Sequence, residues 1–223
     1  MVYQRISGRM KNKFKADKWD EMPVIGILRN VPLADIEAIL PYYMKAGFTN
    51  LEVTMNSIGV EEIIRHLSEN YPSLNIGAGT VCDKNDLKRA VKAGASFIVT
   101  PVVDKKVIKK CVKLGIPIFP GAFSPLEIYS ANKWGATGVK VFPANLLGPA
   151  YIKDVLAPFQ QLKLFPTGGV NLENIPAYFK AGAKGLGMGG TLFLSSLLET
   201  KDYKNLGLHF EKVAQTVRAA RTK

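Results

Sequence analysis

Apolar and polar positions alternate in blocks along this chain. Short runs of β-branched and aromatic residues are each followed by a longer stretch with apolar residues at helical spacing. One phrase marks where the longer stretches end. Lys45-Ala46-Gly47-Phe48, Lys92-Ala93-Gly94-Ala95, Lys113-Leu114-Gly115-Ile116, Lys133-Trp134-Gly135-Ala136 and Lys180-Ala181-Gly182-Ala183 each close an amphipathic segment and precede an apolar run. Lysine in a last turn complements the helix dipole, and glycine just beyond it supplies a left-handed cap. The five glycines lie 47, 21, 20 and 47 residues apart. A short gap holds one strand–helix unit and a long gap holds two, the unmarked helix ends falling near Asn70-Tyr71-Pro72 and Pro158-Phe159.

This spacing predicts eight strands, near 24–28, 50–54, 74–78, 97–100, 116–119, 138–142, 163–167 and 185–188. Asp83, Asp104, Ser124 and Asn171 are placed to open helices as capping residues. Strict β–α alternation implies a parallel sheet, and eight units in about 200 residues point to an α/β fold of the (β/α)8 TIM-barrel type. Residues before Pro23 read as an extra N-terminal helix anchored by Trp19. With no linker or low-complexity tract, the expectation is a single barrel domain over 1–223, residues 1–22 being the helical extension.

Composition narrows the function. A chain of 223 residues, 47% hydrophobic, is large enough for one substantial core. No apolar stretch approaches the roughly 20 residues that span a membrane, and the polar N-terminus shows no secretory signal. Cys82 and Cys111 are too few for a disulfide framework, which fits a reducing cytoplasm. His66 and His209 lie far apart, nothing has metal-ligand spacing, and neither a metal nor a cofactor is expected. The net charge is +12, crowded at Arg5, Arg9, Lys11, Lys13, Lys15 and Lys18 and at Arg218, Arg221 and Lys223. Solvated helix faces and termini account for much of it, and attraction of small anions is a second reading. Nucleic-acid binding ranks last, because no zinc-finger, RNA-binding or helix-turn-helix signature is present.

The chemistry gathers around Lys140, in the apolar run Gly138-Val139-Lys140-Val141-Phe142-Pro143. A lysine that loses hydration has a depressed pKa, and a neutral amine attacks carbonyls to form a Schiff base. The alternative is a structural lysine that snorkels out or pairs with a buried acid. Strand parity turns Val139 and Val141 toward the helices and Lys140 and Phe142 inward. In Leu51-Glu52-Val53-Thr54 the same rule turns Glu52 and Thr54 inward. The second and sixth strands share a layer of the barrel interior, so Glu52 and Lys140 can meet as proton shuttle and nucleophile. A structural salt bridge is the competing reading, though a buried ion pair contributes weakly to stability. Thr167-Gly168-Gly169-Val170 and Gly187-Met188-Gly189-Gly190-Thr191 follow the last two strands, where such barrels bind phosphate; the second cluster is expected to open a helix. Gly77-Ala78-Gly79-Thr80-Val81 offers close backbone approach and a hydroxyl. Arg29, ending the first strand, is a candidate for an acidic substrate group.

With Thr100-Pro101, Phe119-Pro120-Gly121, Lys140-Val141-Phe142-Pro143-Ala144 and Pro166-Thr167-Gly168-Gly169-Val170 added, the chain resembles the 2-keto-3-deoxy-6-phosphogluconate (KDPG) aldolases. These are also assigned 4-hydroxy-2-oxoglutarate aldolase activity. The resemblance runs from about Pro23 to about Thr191. It implies a metal-independent class I aldolase, usually a homotrimer, acting on a phosphorylated keto acid. Lys140 would form the Schiff base and Glu52 would be the general acid/base. Thr80, Pro101 and Phe142 would shape the pyruvate pocket, while Gly168, Gly169, Gly189, Gly190 and Thr191 would hold phosphate. Many of these enzymes carry an arginine shortly after the glutamate. Here the segment reads Glu52-Val53-Thr54-Met55-Asn56-Ser57, which leans toward the 6-phosphogalactonate aldolases, with Arg29 free to take the carboxylate. Rival readings are another phosphate-binding barrel, of epimerase or thiamine-phosphate synthase type, without a covalent lysine, and a basic nucleic-acid-binding barrel.

Overall fold

The computed structural model describes residues 13–222. Arg5, Arg9 and Lys11, most of the expected N-terminal extension, and Lys223 lie outside the described residues. Eight strands follow in order: β1 Val24–Leu28, β2 Asn50–Thr54, β3 Asn75–Gly79, β4 Phe97–Thr100, β5 Ile118–Ala122, β6 Val139–Val141, β7 Leu164–Pro166 and β8 Leu186–Met188. All pair in parallel with their sequence neighbours, and β1 also pairs with β8. A bridge between Thr167 and Gly187 joins β7 to β8, completing the ring of a TIM barrel.

Helix α1, Ala16–Glu21, precedes the barrel. The outer helices are α2 Leu33–Lys45, α3 Val60–Asn70, α4 Lys84–Ala93, α5 Lys105–Leu114, α6 Pro125–Lys133, α7 Gly148–Leu156 and α8 Ile175–Lys180. A short α9, Ser195–Glu199, and the long α10, Tyr203–Arg221, follow β8. The five predicted caps form as the sequence requires. Gly47, Gly94, Gly115, Gly135 and Gly182 all have positive φ, between 67° and 101°. At each, the next residue's N–H donates back to a carbonyl five residues earlier: Phe48 to Tyr43, Ala95 to Ala90, Ile116 to Cys111, Ala136 to Ala131 and Ala183 to Tyr178. At the other ends Asp83, Asp104 and Ser124 accept the expected first-turn N–H bonds. Asn171 departs from expectation. It accepts from Glu173 and Asn174 in a turn before α8, whose N-cap is Asn174.

Parity divides the core into two clusters. Leu51, Val53, Val139 and Val141 belong to the large cluster between sheet and helices. Ile25, Phe97, Val99, Phe119 and Phe165 fill the barrel interior, with Phe14, Trp19 and Ile27 packed against them. Trp19 stacks on Phe119 and meets Phe165 edge-on, both at 5.3 Å between ring centroids. The side chains of Asn50 and Asn75, the first residues of β2 and β3, donate to the carbonyls of Met22 and Lys15. α1 therefore covers the N-terminal mouth of the barrel and leaves the C-terminal mouth to the site.

Candidate active site at the barrel mouth

At that mouth lies a cavity of about 710 Å3. All eleven residues singled out from the sequence line it: Arg29, Glu52, Thr80, Pro101, Lys140, Phe142, Gly168, Gly169, Gly189, Gly190 and Thr191. Thr167 and Gly187, the first residues of the two glycine clusters, line it too; sequence reasoning missed Ile27, Val31, Phe193, Ser195 and Leu198. Parity extended along β1 finds one of these, because Ile27 points the same way as Arg29. Asn56, beside the missing arginine, is exposed and is not among the lining residues.

Lys140 is the middle residue of β6, between buried Val139 and Val141, and is itself half-buried. Its Nζ sits 4.6 Å from the centroid of the Phe142 ring. Burial pushes the ammonium pKa below the ordinary lysine value; the Glu52 charge opposes this shift and Arg29 adds to it. Glu52 in β2 is 1% exposed. Burial raises its pKa above the ordinary carboxylate value, against the opposing fields of Lys140 and Arg29. Among the described residues no direct ion pair joins the two, and Glu52 Oε2 has no hydrogen-bond partner. A simple structural salt bridge is thereby replaced by two separated groups, each displaced toward its neutral form and facing one space.

Glycines make room for this arrangement. A Cβ at Gly79 would collide with the Glu52 carboxyl group, and one at Gly187 with the Thr167 hydroxyl. Thr80, next after Gly79, holds the left-handed conformation at φ 55°, unusual for a β-branched residue. Such strain persists where surroundings over-determine it, and it clusters at functional sites.

The two glycine loops meet across the far side of the cavity. Gly168 and Gly169 have φ of 94° and 75°, so their conformation alone calls for glycine. Gly190 is different: its φ is ordinary, and an added Cβ would meet nothing within 4 Å. Thr191 donates its hydroxyl to Val170 O at 2.5 Å, tying the two loops together. Among the described residues, no carbonyl partner is found for the N–H groups of Gly169, Gly190 and Thr191. The expectation that this second loop opens a helix directly is corrected. Leu192 and Phe193 turn back onto Gly189 O, and α9 starts only at Ser195. The turn that Leu192 and Phe193 close on Gly189 O stands between the strand and the helix.

Among the described residues no group of His, Cys, Asp or Glu has the disposition of a metal site, and no helix is long and apolar enough to cross a membrane.

Known proteins carry the same plan. A 2-dehydro-3-deoxy-phosphogluconate aldolase from Haemophilus influenzae is 32% identical over 204 residues, spanning 91% of this chain and 96% of its own. A 2-dehydro-3-deoxy-6-phosphogalactonate aldolase from Escherichia coli K12 is 33% identical over 175 residues, 78% of this chain and 85% of its own. The native KDPGal structure superposes with a TM-score of 0.86 at 28% identity, covering 95% of this chain and all of that one. The profile of KDPG and KHG aldolases matches residues 16–208. This chain belongs to the KDPG and KHG aldolase family.

Proposed function

We propose that the chain is a class I, Schiff-base aldolase. It cleaves a 2-keto-3-deoxy-6-phospho sugar acid, KDPG or its galacto epimer, to pyruvate and glyceraldehyde 3-phosphate. The observation that carries this reading is the pairing, in one cavity, of a lysine depressed by burial with a carboxyl group raised by burial. The neutral Lys140 amine attacks the C2 ketone, and loss of water gives a protonated imine that serves as electron sink. Glu52, directly or through water, removes the C4 hydroxyl proton. The C3–C4 bond breaks to an aldehyde and an enamine. The enamine takes a proton at C3, and hydrolysis frees pyruvate and Lys140. Applied to 4-hydroxy-2-oxoglutarate, the same steps give pyruvate and glyoxylate.

Thr80, Pro101 and Phe142 border the reacting carbons, and Arg29 takes the substrate carboxylate as a charge-assisted partner. The amides of Gly168, Gly169, Gly190 and Thr191 hold the phosphate. The field of Arg29, with the chain's net charge of +12, favours a substrate that carries both a carboxylate and a phosphate. A covalent lysine distinguishes this reading from an epimerase or a thiamine-phosphate synthase, and a barrel acting on nucleic acid leaves Glu52 without a role.

The residues form one barrel domain, active as a homotrimer in the cytoplasm. In favour of self-association, Ile58 and Val102 stand exposed on the loops after β2 and β4, Leu126 in the first turn of α6, and Leu146 in the 3-10 turn between β6 and α7.

Pyruvate release from the two epimeric phosphorylated acids tests the assignment. Release from at least one epimer is expected, the faster being the preferred substrate. Release from neither, by folded protein, contradicts it.

A further inference from the structure

The segment that departs from the family pattern has a structural occupation of its own. Ser57 is 7% exposed, and its Oγ accepts the N–H of Asn30 at 2.9 Å. The same oxygen lies 3.1 Å from Thr54 Oγ1, and the Ser57 N–H donates to Thr54 O at 2.9 Å. Asn30 follows Arg29 directly and stands at φ 53°, a left-handed conformation that costs energy unless its neighbours hold it. Among the described residues the Arg29 guanidinium has no hydrogen-bond or ion-pair partner, yet Arg29 lines the cavity. Nothing on the side chain itself therefore fixes it; its placement is set by its own backbone and that of Asn30.

We propose that Ser57 is a positioning and specificity-determining residue: its buried hydroxyl, backed by Thr54, locks the turn at Asn30 and so aims Arg29 at the carboxylate end of the substrate. This rests on the reading of Arg29 given under the proposed function. Thr54 lies two residues beyond Glu52 on the same inward face of β2. The strand that carries the acid/base thus also sets the carboxylate anchor, through a contact between the loops after β1 and β2. Asn56 is exposed, while Ser57 beside it serves the anchor supplied by β1. Arg29 also biases both Glu52 and Lys140 electrostatically, so a displaced Arg29 is felt at the reacting groups.

The test is reductive trapping on Lys140 with borohydride, measuring half-saturation by pyruvate and, separately, by acetone, which lacks a carboxylate. Arg29→Ala is expected to raise half-saturation by pyruvate about tenfold or more, the loss of one charge-assisted contact. Ser57→Ala is expected to raise it by roughly three- to tenfold, with acetone unchanged. In an Arg29→Ala background, Ser57→Ala should add less than about twofold, the non-additivity of groups that act as one. Ser57→Cys, nearly isosteric but a weak acceptor, should shift pyruvate in the same direction and covers the case where the alanine variant does not fold. An equal effect of Ser57→Ala with and without Arg29, an equal effect on acetone, or no effect on pyruvate overturns the proposal. If Arg29→Ala itself leaves pyruvate unchanged while trapping persists, the reading of Arg29 fails along with the proposal. If trapping is lost altogether in the unmodified protein, the aldolase reading is what fails.

Discussion

Glu52 and Lys140 are displaced toward neutrality by one cause, the removal of water from both. A carboxyl group whose folded pKa lies above its unfolded value carries fewer protons in the unfolded chain between the two values. Stability is therefore lost as pH rises through that window, and the penalty is complete above the folded pKa. Glu52→Gln should accordingly raise the melting temperature at neutral and alkaline pH. The gain should fade as pH falls below the ordinary carboxylate value, about 4.3. The same variant should slow carbon–carbon cleavage by about 10²- to 10⁴-fold while still forming the pyruvate adduct. Thermal unfolding against pH, beside turnover, checks both; a destabilised Gln variant at neutral pH contradicts the account of Glu52. Gly190 offers a second single-residue check. Its methyl would meet nothing in the fold, so Gly190→Ala should leave the melting temperature within about 2 °C. It should raise KM for the phosphorylated substrate about tenfold, and KM for 4-hydroxy-2-oxoglutarate little, because the added carbon enters the phosphate's approach.

Among elements, β1, β2 and β4 keep the bounds read from the sequence, because alternation and flanking turns fix both ends. The fifth strand moves from 116–119 to Ile118–Ala122 for a reason visible at Gly115. Ile116, though apolar, completes the helix cap by donating to Cys111 O, so it belongs to the end of α5. Leu74 is likewise drawn into a turn onto Tyr71 O, and β3 begins at Asn75. A helix after the eighth strand was legible but its start at Ser195 was not, because α9's five residues without a side-chain cap leave no periodicity to read. The two catalytic candidates were legible because a charge in an apolar run is conspicuous. Ser57 was legible only as a departure, since its partner Asn30 is 27 residues away. α1 shows the reverse case, a single aromatic whose role was readable. Trp19→Ala should cost about 3 kcal/mol, seen in denaturant unfolding. Turnover per folded molecule should hold, because this helix covers the end of the barrel opposite the site.

At the scale of the whole molecule, the positive charge divides into uses. Arg218 donates to Ala46 O at the end of α2, and Arg221 to Asp20 O and Glu21 O at the end of α1, so part of the basic tail caps helices. Arg29 and Lys140 face the cavity instead. The barrel thus has a closed, stitched end at α1 and α10, and an open end where every strand but β5 contributes lining residues to one space, Arg29 among them. Family membership and this polarity converge on one atom, the Nζ of Lys140. Borohydride reduction in the presence of pyruvate, followed by peptide mapping, tests the claim directly. One pyruvate-derived adduct per chain, on Lys140 and absent from Lys140→Met, is the expected result. An unmodified Lys140 in protein that is turning over substrate, or an adduct on a different lysine, would contradict it.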